Sequence, residues 1–385
     1  MPGVKQSLLR HEGRRRHPEL DSEATESPNE SREDERRAGL FIGTGSLLTL
    51  SGRLLADSSL LSLLERRSAR RKGTTLRLAE LELLGRDTGG VALREGALLL
   101  KRQLPLSLAG IEVDGISVAG QETCILLPRH KLVFDTGRCP QRAVYQKTVM
   151  VTHAHLDHIG GLPFLVSTRG MLGLPPPTVV LPTAIVDGTH DMLRAITALD
   201  GNPMACELLP LSPGGEYRHL PGFVVRPFAT FHPVPSQGYL LYNSKQKLKP
   251  ELAGLPGDTI RDRRLAGEEV TRMVEAPEVA FTGDTSAEFI LHPGNEDVLR
   301  ARLLIMELTF LDDEVTVEHA RSFGHMHIDE FVEHAERFQN EAILLIHFSA
   351  RYTAARIVEL LDERLPPALR AKCTPLLAGF SDRST

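Results

Sequence analysis

The chain has 385 residues, of which 41% are hydrophobic, 25% charged and 5% aromatic, with a formal net charge of −5. That much apolar material can bury a sizeable core, which excludes a wholly disordered chain. No apolar run reaches the roughly 18 residues a membrane-spanning helix needs, and the acidic balance excludes a globally basic coat for nucleic acid while leaving a local basic patch open. Cys124, Cys139, Cys206 and Cys373 form no CxxC pair and read as reduced thiols of an intracellular protein. The 15 histidines are the first informative excess.

Residues 1–37 hold the cluster Arg14-Arg15-Arg16 and then an acid-rich stretch from Glu19 to Glu35. Neither repeats hydrophobically, and the acids argue against a simple transit peptide. Residues 38–108 are rich in Leu and Arg with loose helical spacing and no assignable role. Residues 1–108 are therefore expected to be an N-terminal extension, at least partly disordered. From about Gly110 the pattern changes. Ile111–Val118, Glu122–Leu127, Lys131–Asp135 and Thr148–Thr152 read as successive strands between turn signals. After a strand at Thr178–Leu181, the residues Ile185, Met192, Leu193 and Ile196 give a helical stripe. Phe223–Ala229, Gly238–Tyr242, Val279–Thr282, Arg302–Glu307 and Ala342–His347 are further strands. Ile328, Phe331, Val332, Ala335 and Phe338 mark one amphipathic helix, and Ala354, Ile357 and Leu361 a last one. A strand meander mixed with helices, followed by a second such half, predicts an α/β fold with two sheets packed face to face and helices outside, an αββα sandwich.

Between two good strands, Asn243–Glu275 is polar and holds Lys245, Lys247, Lys249, Arg261, Arg263, Arg264 and Arg272. Its length exceeds what a plain connection needs, which points to a functional arm.

The chemistry lies in Val149-Met150-Val151-Thr152-His153-Ala154-His155-Leu156-Asp157-His158, an apolar strand ending in HxHxDH. Alternation along extended backbone turns His153 and His155 the same way, while Asp157 and His158 follow a turn and can face a second ion. Imidazole and carboxylate are ligands that Zn²⁺ takes, and a two-metal site needs more of them than one strand supplies. Three candidates stand just beyond strand ends: His232, His347, and Asp284, which could bridge both ions. Asp135, at the end of Lys131–Asp135, can accept the outer ring N–H of a ligand histidine.

Together these strings resemble the metallo-β-lactamase superfamily, and within it the short plant-type form of ribonuclease Z (tRNase Z). The resemblance runs from about Gly110 to Phe380 and rests on Gly120-Gln121-Glu122-Thr123-Cys124, Phe134-Asp135-Thr136-Gly137-Arg138-Cys139-Pro140 and HxHxDHIGGLP. Pro235-Ser236-Gln237-Gly238-Tyr239, Phe281-Thr282-Gly283-Asp284-Thr285, Gly324-His325-Met326-His327-Ile328 and Ile346-His347-Phe348-Ser349-Ala350-Arg351-Tyr352 complete it. It implies a domain over 109–385 with a tRNA-binding arm at 243–276. It implies two Zn²⁺ per subunit, one on His153, His155 and His232, the other on Asp157, His158 and His347, with Asp284 between them. Asp157, Glu307 and His325 would be catalytic. The family's His-Glu-Ala-Thr signature reads Met306-Glu307-Leu308-Thr309 here, so its first histidine is absent. Ser349 and Arg351 would contact the substrate phosphate, and Lys245, Lys247, Lys249, Arg263 and Arg264 the tRNA. The implied enzyme is a homodimeric endoribonuclease that removes the 3′ trailer of precursor tRNA. The implied products are a tRNA 3′-hydroxyl and a trailer 5′-phosphate. A phosphodiesterase or thioesterase of the same fold would share the ligands but need no arm. Cytoplasm is the default location, with plastid, mitochondrion and nucleus open.

Overall fold

The computed structural model describes residues 105–381; the expectation of disorder for residues 1–104 lies outside the described residues. Among the described residues, fifteen strands form two sheets. The first holds β1 (Leu106–Leu108), β2 (Ile111–Ala119), β3 (Glu122–Leu127), β4 (Leu132–Phe134), β5 (Thr148–Met150), β6 (Thr178–Pro182) and β7 (Glu207–Leu211), in that order. The second holds β8 (Tyr217–Leu220), β9 (Phe223–Ala229), β10 (Gln237–Leu248), β11 (Thr271–Phe281), β12 (Leu303–Glu307) and β13 (Ala342–Ile346). Beyond β13, β14 (Phe348–Ser349) returns to the first sheet beside β2, and β15 (Cys373–Pro375) closes the second against β13. β1 lies within the segment read as extension: Leu106–Leu108 pair with β2, so the fold begins ahead of the expected boundary at residue 108.

The strands that meet a neighbour on both faces, such as Leu303–Glu307 and Ala342–Ile346, are buried at every position. That accounts for their continuous apolar runs, since a sheet covered on both sides needs no polar alternation. Their side chains split between layers. Phe134 and Met150 of the first sheet meet Phe281, Ile305 and Leu344 of the second in the central layer, with the Phe134 and Phe281 rings stacked at 4.6 Å. Outside the first sheet, Val133, Val149 and Val179 pack under helix Leu162–Met171 through Leu162 and Leu165. Outside the second, Leu304, Met306 and Leu345 pack under helices Ile328–Glu333 and Ala354–Arg364 through Phe331, Ile357 and Leu361. Each fully buried Leu, Ile or Phe contributes roughly 1.5–3 kcal/mol. The αββα order follows.

Two readings change in detail. The helix expected across Ile328–Phe338 stops at Glu333 and is followed by a separate 3₁₀ turn at Ala335–Arg337. The segment Asn243–Glu275, read as an arm, is built as an antiparallel hairpin: β10 and β11 run on from Tyr239 opposite Phe281 to Leu248 opposite Thr271. β9 pairs with β10 only as far as Asn243, so the hairpin continues past the sheet as a two-stranded ribbon. Its tip carries helix Gly257–Leu265, and Leu252 and Val270 are buried there. No helix among the described residues is long and apolar enough to cross a membrane.

Candidate metal centre

In each sheet a run of parallel strands ends at one common edge, and binding groups gather beyond the carboxyl ends of such strands. Asp135 follows β4, His153 follows β5, His232 follows β9, Asp284 follows β11, Glu307 ends β12, and His347 follows β13. Helix Leu156–Ile159 starts directly after His155, which puts Asp157 and His158 on its first turn. His347 stands where the chain leaves the second sheet for the first, and it does so at φ 60°. Asp135 is likewise left-handed, at φ 54°. Non-glycine residues rarely hold this conformation, and both sit where a side chain must turn into the site.

The side chains converge in two groups. In the first, His155 Nδ1 lies 3.1 Å from both His153 Nε2 and His232 Nε2, and Asp284 Oδ2 is 3.6 Å from His153 Nε2. In the second, His347 Nε2 lies 3.4 Å from His158 Nε2 and 3.6 Å from Asp157 Oδ2. Asp284 reaches this group as well, Oδ2 at 3.2 Å from His158 Nε2 and Oδ1 at 3.4 Å from His347 Nε2. Within each group the ligand atoms lie inside 4.8 Å of one another. All seven residues predicted as ligands are thus brought together, with Asp284 facing both groups.

The donor set fits divalent metal. Four of the rings have their outer nitrogen engaged: His158 Nδ1 at 2.8 Å from Asp135 Oδ2, His232 Nδ1 at 3.0 Å from the Gly324 carbonyl, His153 Nδ1 at 3.0 Å from Thr152 Oγ1, and His347 Nδ1 at 3.1 Å from Thr309 Oγ1. Their Nε2 atoms are left facing one another and Asp284, whose buried Oδ1 has no hydrogen bond. Lone pairs and carboxylates aimed at one point repel unless a cation lies between them. Burial holds the His153 imidazole well below its ordinary pKa, in the neutral form a ligand needs. Burial alone would raise the Asp284 carboxyl, but His158 and His347 outweigh it and hold the group well below the usual range.

Beside this cluster, Glu307 is fully buried and accepts hydrogen bonds from the Thr285 and Met326 amides at 2.7 and 3.2 Å. Its Oε1 lies 3.0 Å from His325 Nδ1, and the His325 ring stands 5.3 Å from those of His232 and His347. Burial disfavours a charged His325, but the Glu307 carboxylate raises its pKa to about 9. Met306, where the family signature has histidine, packs into the apolar layer behind the second sheet. Strand alternation turns it away from the face that presents Glu307.

Several supports were not legible in the sequence. The Gly120 amide donates to Asp157 Oδ2 at 2.9 Å. From the second sheet, the Tyr239 hydroxyl donates to the Val151 carbonyl at 2.7 Å and the Gln237 amide to the Thr152 carbonyl at 3.1 Å, which anchors the loop carrying His153. Two glycines are dictated by close approach. A Cβ at Gly137 would lie 1.8 Å from the Asp157 carbonyl oxygen, and one at Gly324 would lie 2.8 Å from His232 Nδ1, at φ 70°.

Other predicted residues stand differently. The Arg351 guanidinium is bound by Asp312 and Glu314 and donates to the Tyr352 hydroxyl at 2.6 Å, so a phosphate would have to displace an acid to reach it. Ser349 lies in β14, its amide donating to the Thr309 carbonyl at 3.0 Å. On the ribbon, Lys249 pairs with Glu269 and Arg263 with Glu268, while no ion pair holds Lys245, Lys247 or Arg264 among the described residues. Lys247 stands directly opposite Arg272, a like-charge pairing that costs stability unless an anion joins it.

A fold of two packed sheets with a His/Asp cluster at the strand ends defines a class, and residues 136–348 match the beta-lactamase superfamily domain. The chain has the metallo-β-lactamase fold. "tRNase Z TRZ1" of Arabidopsis thaliana is 44% identical over 281 residues, covering 73% of this chain and 100% of that relative. "tRNase Z TRZ2, chloroplastic" of the same plant is 44% identical over 278 residues, or 72% of this chain and 78% of the relative. The chain belongs to the tRNase Z family. "Nuclear ribonuclease Z" of Triticum aestivum is 46% identical over 169 residues, 44% of this chain and 96% of the relative. Among solved structures, human tRNase Z, short form, aligns at 20% identity and a TM-score of 0.43, over 62% of this chain and 93% of that one.

Proposed function

We propose that this chain is the endoribonuclease that removes the 3′ trailer from precursor tRNA, using two zinc ions per subunit. Family membership makes it a hydrolase of tRNA 3′ processing. The observation that carries the finer reading is the position of Asp284, within 3.6 Å of His153 in one group and within 3.4 Å of His158 and His347 in the other, and set beside the Glu307–His325 pair. His153, His155 and His232 would hold one ion and Asp157, His158 and His347 the other, with Asp284 between them. When bound, the ions would supply Lewis acidity at the scissile phosphodiester and bring the pKa of a water down to about 7.

The remaining steps belong to side chains. Asp157, held at Oδ2 by the Gly120 amide, orients the attacking water and takes its proton. As the new P–O bond forms, the bond from phosphorus to the 3′ oxygen breaks, and His325 Nε2 gives that oxygen a proton. Glu307 fixes the His325 ring through Nδ1 and keeps it charged. The products are tRNA with a 3′-hydroxyl and a trailer with a 5′-phosphate. Ser349 and Arg351 lie close in sequence to His347 and would meet the phosphate, Arg351 by exchanging its acid partners. Lys245, Lys247, Lys249, Arg263 and Arg264 would grip tRNA phosphates, with the arm of one subunit of a homodimer serving the other. Names of the relatives span chloroplastic and nuclear forms, and we take cytoplasm as the default compartment.

The test is incubation of metal-loaded protein with a precursor tRNA bearing a 3′ trailer, with both new ends mapped. A cut after the discriminator nucleotide leaving 3′-hydroxyl and 5′-phosphate ends is expected. Intact precursor, alongside turnover of a thioester or small phosphodiester, would move the chain to another hydrolase of the same fold.

A further inference from the structure

The two halves of the sandwich build the same hydrogen-bonded unit at the metal centre. In the first half, Asp135 accepts from the Thr152 amide at 2.7 Å and the Thr152 hydroxyl at 2.8 Å, and its Oδ2 lies 2.8 Å from His158 Nδ1. The same Thr152 hydroxyl lies 3.0 Å from His153 Nδ1. In the second half, Glu307 accepts from the Thr285 amide at 2.7 Å and the Thr309 hydroxyl at 2.5 Å, and its Oε1 lies 3.0 Å from His325 Nδ1. The Thr309 hydroxyl lies 3.1 Å from His347 Nδ1. Each unit is a buried carboxylate, a threonine hydroxyl that donates to it, one histidine bound directly and one bound through that hydroxyl; the amide donor is Thr152 itself in the first unit and Thr285 in the second. Thr152 and Thr309 are 1% and 3% exposed, so bulk water does not substitute for either contact.

A hydroxyl has a single proton to donate. Having given it to the carboxylate, each threonine can only accept from the imidazole, which requires the proton on Nδ1. The Nε2 lone pairs of His153 and His347 are then turned to the ligand cluster. We propose that Thr152 and Thr309 are paired positioning residues that set the tautomers of His153 and His347 for metal binding. Through Thr309, Glu307 supports a metal ligand and the proton donor His325 at once. This inference rests on the metal-centre reading above and goes beyond it by assigning both threonines.

The test is competition between a chelator and the zinc-loaded protein, without RNA, for wild type, Thr309→Val, Thr309→Ser, Thr152→Val and Thr152→Ser. Valine keeps the shape and removes the hydroxyl, so metal affinity should fall about 10- to 100-fold in both valine variants. Serine should restore most of it, which a purely space-filling threonine would not produce. Valine variants that hold metal as tightly as wild type would overturn the inference while leaving the metal centre standing. Wild type that binds no metal would remove both. Should a valine variant fail to fold, nitrogen NMR of the loaded wild type still decides. Protonated Nδ1 on His153 and His347 is expected, and a deprotonated Nδ1 on either overturns the assignment.

Discussion

In the proposed function the His/Asp cluster and the arm meet opposite demands. At the centre His153, His158, Asp284 and His347 are all buried, and the three histidines are backed by Thr152, Asp135 and Thr309. On the arm, Lys245 and Lys247 project from a ribbon that pairs on one side only and face water without a carboxylate partner. Bond making at phosphorus needs groups placed to a fraction of an ångström, which only a packed and hydrogen-bonded surround can supply. Holding a polyanion needs charge density alone, and that interaction tolerates motion but is weakened by salt. The two regions should therefore fail in different ways when altered.

The largest separation should come from His325→Ala. Its single-turnover cleavage rate is expected to drop by about 10²- to 10⁴-fold with tRNA affinity unchanged. An equal loss of affinity would mean that His325 holds the RNA rather than moving a proton. A smaller and opposite effect is expected from joint replacement of Lys245, Lys247 and Arg264 by alanine. Binding should weaken, and the slope of log affinity against log salt should become shallower by about 2–3. The cleavage rate at saturating tRNA should stay at the wild-type value. An unchanged salt slope would remove these three residues from the tRNA surface.

The same contrast explains what the sequence revealed. Ligand residues are conspicuous by type, and the pattern of an apolar strand followed by His or Asp places them at one edge. The residues that cluster, His153, His155, Asp157, His158, His232, Asp284 and His347, could therefore all be picked out from the sequence as candidates, and Asp135 with them. The groups that fix their orientation were not. The Gly120 amide is a backbone donor, and the Thr152 and Thr309 hydroxyls belong to a common residue type whose role depends on contacts across the fold. The partners of Arg351 lie 37 and 39 positions away in the chain, beyond any local pattern. In the arm the failure had another cause. Lys245, Lys247 and Lys249 alternate along a ribbon with no core to bury, so β10 and β11 lacked the apolar signature that marks strands elsewhere. β7 and β8 were missed for a related reason, as edge elements with few fully buried positions.

The central claim is that Asp284 joins two sets of ligands into one two-metal centre. Counting the metal ions bound per chain, in wild type and in Asp284→Ala purified side by side, tests it most directly. The account predicts two ions in the wild type and the loss of at least one in the variant, together with loss of precursor cleavage. Two ions retained by the variant, or a single ion in an active wild type, would contradict it.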